Sequence, residues 1–180
     1  MKKILLIALI ALSFLTKGFS QTEKVHYFKL TDRKVKVGEV YIILGANIKG
    51  YPMCLDLKKE KELDTLAGFL LKNKNVKIEI GCHCDYRPIP LTHDTLTKKQ
   101  AVSIREYLIS KGIDQNRLVA IGYGSAYPRI LTEKIVHKGV EFPKGTIITE
   151  KYIKSLKTLD EKMAAFDLDR RIVIKIIATE

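Results

Sequence analysis

The stretch of this 180-residue chain that most constrains its fold runs from Val76 to Ile104. Val76, Ile78 and Ile80 recur with a period of two, which puts their side chains on one face of an extended strand and leaves Lys77 and Glu79 on the other. Gly81-Cys82-His83-Cys84-Asp85 and a proline-bearing loop follow, and then Leu96-Thr97-Lys98-Lys99-Gln100-Ala101 opens a helix. Strand, polar loop and helix in that order form the unit of α/β folds, and ligands gather where the strand hands over to the helix. His83 and Asp85, at the end of the strand, are therefore the first candidate ligand groups.

The rest of the chain supplies partners for this unit. Val25 to Leu44 is rich in alternating and β-branched residues and predicts a strand pair ending in Val40-Tyr41-Ile42-Ile43-Leu44. Asp56 can cap a helix whose Leu63, Leu66, Ala67, Leu70 and Leu71 follow the spacing of a core-facing stripe. In the second helix Ala101, Ile104 and Leu108 share a face, and Gly112 is placed to end it in the left-handed conformation. Leu118 to Ile121 predicts a short strand closed off by Gly122-Tyr123-Gly124 and Pro128. Arg129 to Thr149 carries no regular pattern apart from a turn at Phe142-Pro143-Lys144-Gly145. Tyr152, Leu156, Leu159 and Met163 then recur at helical spacing and predict a core-facing helix, and Arg170-Arg171 opens a last strand, Ile172 to Ile177. This order predicts an α/β (α+β) sandwich with helices packed on one sheet, its parallel neighbours joined by right-handed crossovers.

Residues 1–20 stand apart from that pattern. Lys2 and Lys3 precede an apolar run from Ile4 to Leu15, and Gly18-Phe19-Ser20 supplies small residues before Gln21, the layout of a cleaved secretory signal. The run is shorter than the ~20 residues a spanning helix needs, so a membrane anchor is the weaker reading. No cysteine near the cleavage point offers a site for acylation. Removing Lys2, Lys3 and Lys17 from the 32 basic residues leaves 29 against 20 acidic, a net charge of +9. Outside the cytoplasm that excess suits acidic envelope surfaces, such as cell-wall carboxylates or lipid phosphates, rather than nucleic acid.

Cys54, Cys82 and Cys84 are an odd number in a compartment that permits disulfides, and the sequence does not choose a pairing. Cys-His-Cys-Asp is a poor metal cluster, because zinc sites space their ligand pairs by two or more residues and His83 alternates to the opposite face. No metal or cofactor is expected. Cys82 or Cys84 beside His83 is the one candidate nucleophile, without the third group that would orient a base, so no enzymatic role is expected either.

Taken together, the pieces resemble the OmpA-like C-terminal domain, the peptidoglycan-associating module of OmpA, Pal and MotB proteins. The matching pieces are Leu63-Asp64-Thr65-Leu66-Ala67, Val76 to Ile80, His83 and Asp85, Leu96-Thr97, and Tyr107 to Ile113. Arg117-Leu118, Gly122-Tyr123-Gly124, Pro128 and Asp169-Arg170-Arg171 complete the set. The resemblance implies a βαβαβ core with an added C-terminal strand and a mixed sheet. It divides the chain into a signal at 1–20, an N-terminal strand extension with the first core strand at 21–52, and the domain at 53–180 with an insert at about 129–167. Helices claim too much of the chain for it to hold a membrane barrel of its own. The implied place is the periplasm, peripheral to the outer membrane, and the implied partners are the diaminopimelate-type stem peptide of peptidoglycan and other envelope proteins.

The resemblance also implies a clamp, in which an Asp at the strand end faces an ammonium and an Arg in the next helix faces a carboxylate. Carried onto this chain, the Asp is Asp85, but Gln100 stands where the family has its Arg. Cys82, Cys84, Pro88 and His93 are further departures in the same half. Gln100 lacks the charged fork, and Arg87 in the loop or Lys99 on the helix could supply a cation in its place. A local reading competes: Thr97-Lys98-Lys99-Gln100 has the spacing of a capping box, in which Gln100 would close the helix start. His83, Asp85, Arg87, Thr97, Lys99 and Gln100 are thus the candidate ligand-binding residues. Arg170 and Arg171 read as structural, pairing with acidic loop residues near the last strand. Two functions follow: wall binding through an altered clamp, or a scaffold that has lost wall binding and joins an envelope assembly through protein contacts.

Overall fold

The computed structural model describes residues 26–32, 34–44, 57–88 and 92–179. The expected signal, the Asp56 cap and Cys54 lie outside the described residues. Strand β1 (Val40–Leu44) is followed by helix α1 (Leu57–Lys72), β2 (Lys77–His83) and α2 (His93–Ser110). A 3-10 turn at Gln115–Arg117 leads into β3 (Leu118–Gly122). The hairpin of β4 (Ile135–His137) and β5 (Val140–Phe142), helices α3 (Glu150–Ser155) and α4 (Leu159–Asp169), and β6 (Arg171–Ala178) complete the described chain.

Four strands form one mixed sheet in the order β1-β6-β2-β3. β2 and β3 are parallel, joined through α2, while β6 runs antiparallel to both β1 and β2. The C-terminal strand therefore lies inside the sheet, paired on both edges. Parity then explains the core: Ile78, Ile80 and Cys82 of β2 and Ile172, Ile174 and Ile176 of β6 point to one side, where they meet Leu63, Leu66 and Leu70 of α1 and Ala101, Ile104 and Leu108 of α2. Burying each Leu or Ile of this kind contributes about 1.5 to 3 kcal/mol. The expected mixed sheet with helices on one face is what forms. Gly112 takes the left-handed conformation at the end of α2, with φ +89°.

Two expected stripes need correction. Leu71 of α1 is 48% exposed, and Phe69 is buried in its place against Phe28. The helix predicted to run through Tyr152, Leu156, Leu159 and Met163 is broken into α3 and α4, each with its own threonine cap, Thr149 and Thr158. Thr158 and Glu161 form a capping box that restarts the helix. The restart rotates the apolar set, so Leu159 is 73% exposed, while Ile153, Ala164, Ala165, Phe166 and Leu168 pack with Leu131, Phe142 and Ile148 in a second cluster. The region read as irregular, 129–149, thus holds a hairpin, which packs with the two helices that follow it around a small separate core.

Candidate functional site

β2 delivers His83 and Asp85 to the start of α2, as the alternation required. Three glycines let the backbones close up there. A Cβ on Gly122 would overlap the backbone of Thr97 and Lys98, and one on Gly124 would overlap the Asp94 carboxylate. At Gly81 a Cβ would meet the Tyr123 ring at 2.8 Å. The Gly122-Tyr123-Gly124 sequence is therefore the seat of the first turns of α2, and Gly81 makes room for the ring between the two glycines. Tyr123 donates to Glu79 Oε1 at 2.7 Å and stacks on the His83 ring, with centroids 4.9 Å apart and planes 12° from parallel.

α2 begins at His93, three residues before Leu96, and this overturns the capping-box reading of Gln100. Thr92 is the N-cap, with its hydroxyl accepting from the Thr95 N–H. Thr97 sits one turn inside, where its hydroxyl donates to the His93 carbonyl at 2.9 Å and accepts from the Gly124 N–H at 3.0 Å. It pins the helix to the Gly122-Tyr123-Gly124 segment. Gln100 is 3% exposed, and its Oε1 has no hydrogen-bond partner among the described residues. An unpaired buried amide oxygen costs about 1 to 3 kcal/mol, so Gln100 is not placed there to close the helix start. Lys99 is exposed on the same helix.

Asp85 is 5% exposed, and protein groups meet both of its oxygens. Arg87 donates from its backbone N–H and from Nε to Oδ1, at 3.0 and 2.9 Å, and from Nη2 to Oδ2 at 2.8 Å. Arg170 Nε lies 3.6 Å from Oδ2. The Arg87 guanidinium in turn rests on the Phe166 ring, 3.9 Å from its centroid, and the Asp85 hydrogen bonds push its pKa further up. His93 holds the other side of Arg87: its Nε2 is 2.9 Å from the Arg87 carbonyl and its Nδ1 is 3.1 Å from Ser125 Oγ. A carbonyl only accepts, so Nε2 carries a proton.

Asp85 also begins a chain of alternating charge. Arg170 donates to Asp167, and Lys138 of the hairpin pairs with the same carboxylate. Arg87, Asp85, Arg170, Asp167 and Lys138 therefore form a row of three cations and two anions. Its two ends are its most exposed members, Arg87 at 35% and Lys138 at 57%. Arg171 pairs with Asp169, whose carboxylate also accepts from the Arg129 N–H. Arg170 and Arg171 pair with acidic residues as expected, but Asp167 and Asp169 belong to the end of α4 rather than to a loop.

Burial governs the remaining protonation states. It pushes the His83 pKa down to about 3, with Arg171 adding to the effect, so the ring is neutral. Desolvation raises Asp169 to about 6. Cys82 and Cys84 are free and buried, and burial raises both thiols, Cys84 to about 12, so neither supplies a thiolate at neutral pH. Among the described residues no group of three His, Cys, Asp or Glu side chains is arranged to hold a metal ion.

Comparison with known proteins agrees with this architecture. Residues 53–139 match the model of the OmpA family. That stretch, just under half of the chain, is similar to the OmpA family. A peptidoglycan-associated lipoprotein of Buchnera aphidicola subsp. Baizongia pistaciae is 38% identical over 71 residues, 39% of this chain and 41% of that protein. One from Rhizobium meliloti is 34% identical over 73 residues, 41% of this chain and 42% of that protein. The chain spans about two fifths of the length of these curated relatives. In three dimensions the periplasmic domain of Helicobacter pylori MotB superposes with a TM-score of 0.53 at 17% identity, over 82% of this chain and 80% of that one. What the two share is the fold, the mixed sheet and helices described above. Among the described residues no helix is long and apolar enough to cross a membrane.

The residues that sequence reasoning missed lie on α4. Phe166 and Asp167 bind the loop through Arg87 and Arg170, yet they are 79 residues or more beyond Arg87 in the chain. The one local signal was the i, i+3 spacing of Asp167 and Arg170.

Proposed function

We propose that this protein is an exported, non-enzymatic envelope protein that holds peptidoglycan non-covalently through the β2–α2 handover of its OmpA-family domain. The reading is supported by the position of Asp85, a buried carboxylate held in a fixed cationic setting at the strand end where ligands of α/β units collect. The names of the two curated relatives point the same way. On this reading the domain lies in the periplasm beside the outer membrane, and His83, Asp85, Arg87, Thr97, Lys99 and Gln100 form or support the binding face. The ligand is the stem peptide of the wall.

The test is retention of the mature protein on purified peptidoglycan. Asp85→Ala, which removes the group that fixes Arg87, lowers retention at least about tenfold if the site is here. Unchanged retention in that variant moves the site elsewhere. A second reading has an observation of its own. The Asp85 carboxylate is already met by Arg87 and Arg170, and Gln100 brings no charge, which suits a scaffold that has given up the wall and binds envelope proteins instead. That reading predicts no retention above buffer controls by the unaltered protein.

A further inference from the structure

We infer that the site recognises a carboxylate of its ligand and not an ammonium, with Arg87 as the residue that docks it; this rests on the wall-binding reading above. A site that takes an ammonium needs a carboxylate with a free oxygen lone pair facing solvent. Asp85 does not face solvent, and the one lone-pair position that Arg87 leaves is on the oxygen that Arg170 approaches. The residue is 5% exposed, three hydrogen bonds from Arg87 occupy its two oxygens, and Arg170 approaches the second oxygen at 3.6 Å. Admitting a ligand cation there would require breaking the guanidinium fork and lifting Arg87 from the Phe166 ring.

The paired row at the handover turns positive ends to solvent, beside the exposed Asp94 carboxylate in the first turn of α2. The row Arg87, Asp85, Arg170, Asp167, Lys138 carries one more cation than anion, and its exposed ends are Arg87 and Lys138. With Nε and Nη2 given to Asp85, Nη1 is the donor group of Arg87 that Asp85 leaves for a ligand. The fork is fixed from four sides: Asp85 in its plane, Phe166 below it, its own N–H on Asp85, and its carbonyl on His93. A guanidinium held in this way loses little freedom when it takes a further acceptor. Asp85 is then a positioning residue that aims Arg87. Gln100 is buried and adds no charge of its own, so position 100 does not supply the cation of this site.

The two halves of the wall peptide can be blocked separately. Purified peptidoglycan is used untreated, with its free amino groups acetylated, or with its free carboxylates amidated. Retention of the full mature chain is measured on each at physiological salt. The expected result is unchanged retention on acetylated wall and a loss of about tenfold or more on amidated wall. Arg87→Gln should reduce retention on untreated wall to the amidated level, and Arg87→Lys should fall between the two. Lys74→Gln, an exposed charge ahead of β2 and away from its Asp85 end, should change nothing.

Loss on acetylated wall, or retention on amidated wall, overturns the proposal while leaving wall binding intact. An equal loss in Lys74→Gln also overturns it, because general charge attraction would then account for the amidation result. Absence of retention on untreated wall removes the wall-binding reading itself, and this inference with it.

Discussion

Arg87 grips Asp85 through a two-point fork, Nε to Oδ1 at 2.9 Å and Nη2 to Oδ2 at 2.8 Å, across only two positions of the loop that leaves β2. The pair joins the loop to α4, because Arg87 rests on Phe166 and Asp85 draws in Arg170. Removing the carboxylate strands the Arg87 guanidinium and leaves Arg170 to Asp167 alone, whereas removing Arg87 leaves Asp85 with Arg170. Asp85→Asn should therefore cost about 3 kcal/mol and Arg87→Ala distinctly less, since Arg87 is partly exposed and solvent screens its share. Urea unfolding of the two variants checks the order. A larger loss for Arg87→Ala would mean that Phe166 packing, and not charge pairing, holds the loop.

The close approach of α2 to the Gly122-Tyr123-Gly124 segment makes a second prediction. Gly122→Ala would drive a methyl group into the backbone of Thr97 and Lys98, neither of which can swing away as a side-chain end would. A loss of about 3 kcal/mol or more is expected, with the helix displaced from the strand that carries His83. Gly68→Ala, where a Cβ meets nothing, should by contrast stabilise α1 by about 0.5 to 1 kcal/mol. Denaturant midpoints of the two variants move in opposite directions if the packing is as described.

Much of this framework was legible in the sequence, for identifiable reasons. Period-two alternation in Val76 to Ile80 and the stripes on α1 and α2 are local patterns, and burial in a one-faced sheet enforces them. Where a local rule competed with tertiary contact, the tertiary contact won. Thr97 has capping-box spacing to Gln100, but it sits inside the helix because Thr92 caps earlier and the Gly124 N–H claims its hydroxyl. Leu159 and Met163 keep helical spacing with Tyr152, yet Thr158 restarts the helix and turns them outward. The partners of Asp85 were half legible. Arg87 lies two residues away, whereas Phe166 and Arg170 reach the loop only because β6 inserts beside β2 and carries the end of α4 with it.

Two buried groups make acid stability a matter of opposing terms. The His83 pKa is depressed to about 3 from 6.5, so the unfolded chain takes up its proton first and this term removes stability as pH falls below about 6.5. The Asp169 pKa is raised to about 6 from 3.8, so the folded state takes up its proton first and this term adds stability as pH falls from about 6 toward 4. Between pH 6 and 4 the two oppose each other. Relative to the unaltered protein, Asp169→Asn should lose thermal stability more steeply on acidification over this window, and His83→Gln less steeply. Thermal midpoints at pH 7, 6, 5 and 4 for the three proteins measure it, and parallel curves would show that neither group titrates with these shifts.

The final prediction concerns Gln100, the position where the resemblance places an arginine. With Asp85 already met by Arg87 and Arg170, a guanidinium at position 100 enters a buried site with no free carboxylate, and Gln100→Arg alone should cost about 3 kcal/mol or more. In the background of Arg87→Ala the Asp85 fork is vacant, and the new guanidinium has an acceptor. The double variant should then be more stable than the sum of the single losses by about 1 kcal/mol or more, beyond the roughly 0.5 kcal/mol within which independent sites add. Wall retention gives the same cycle a functional readout. If carboxylate docking passes from the loop to the helix, the double variant recovers the retention that Arg87→Ala loses. Additive stabilities without recovery would mean that position 100 does not communicate with Asp85, and that the cationic half of this site belongs to the loop alone.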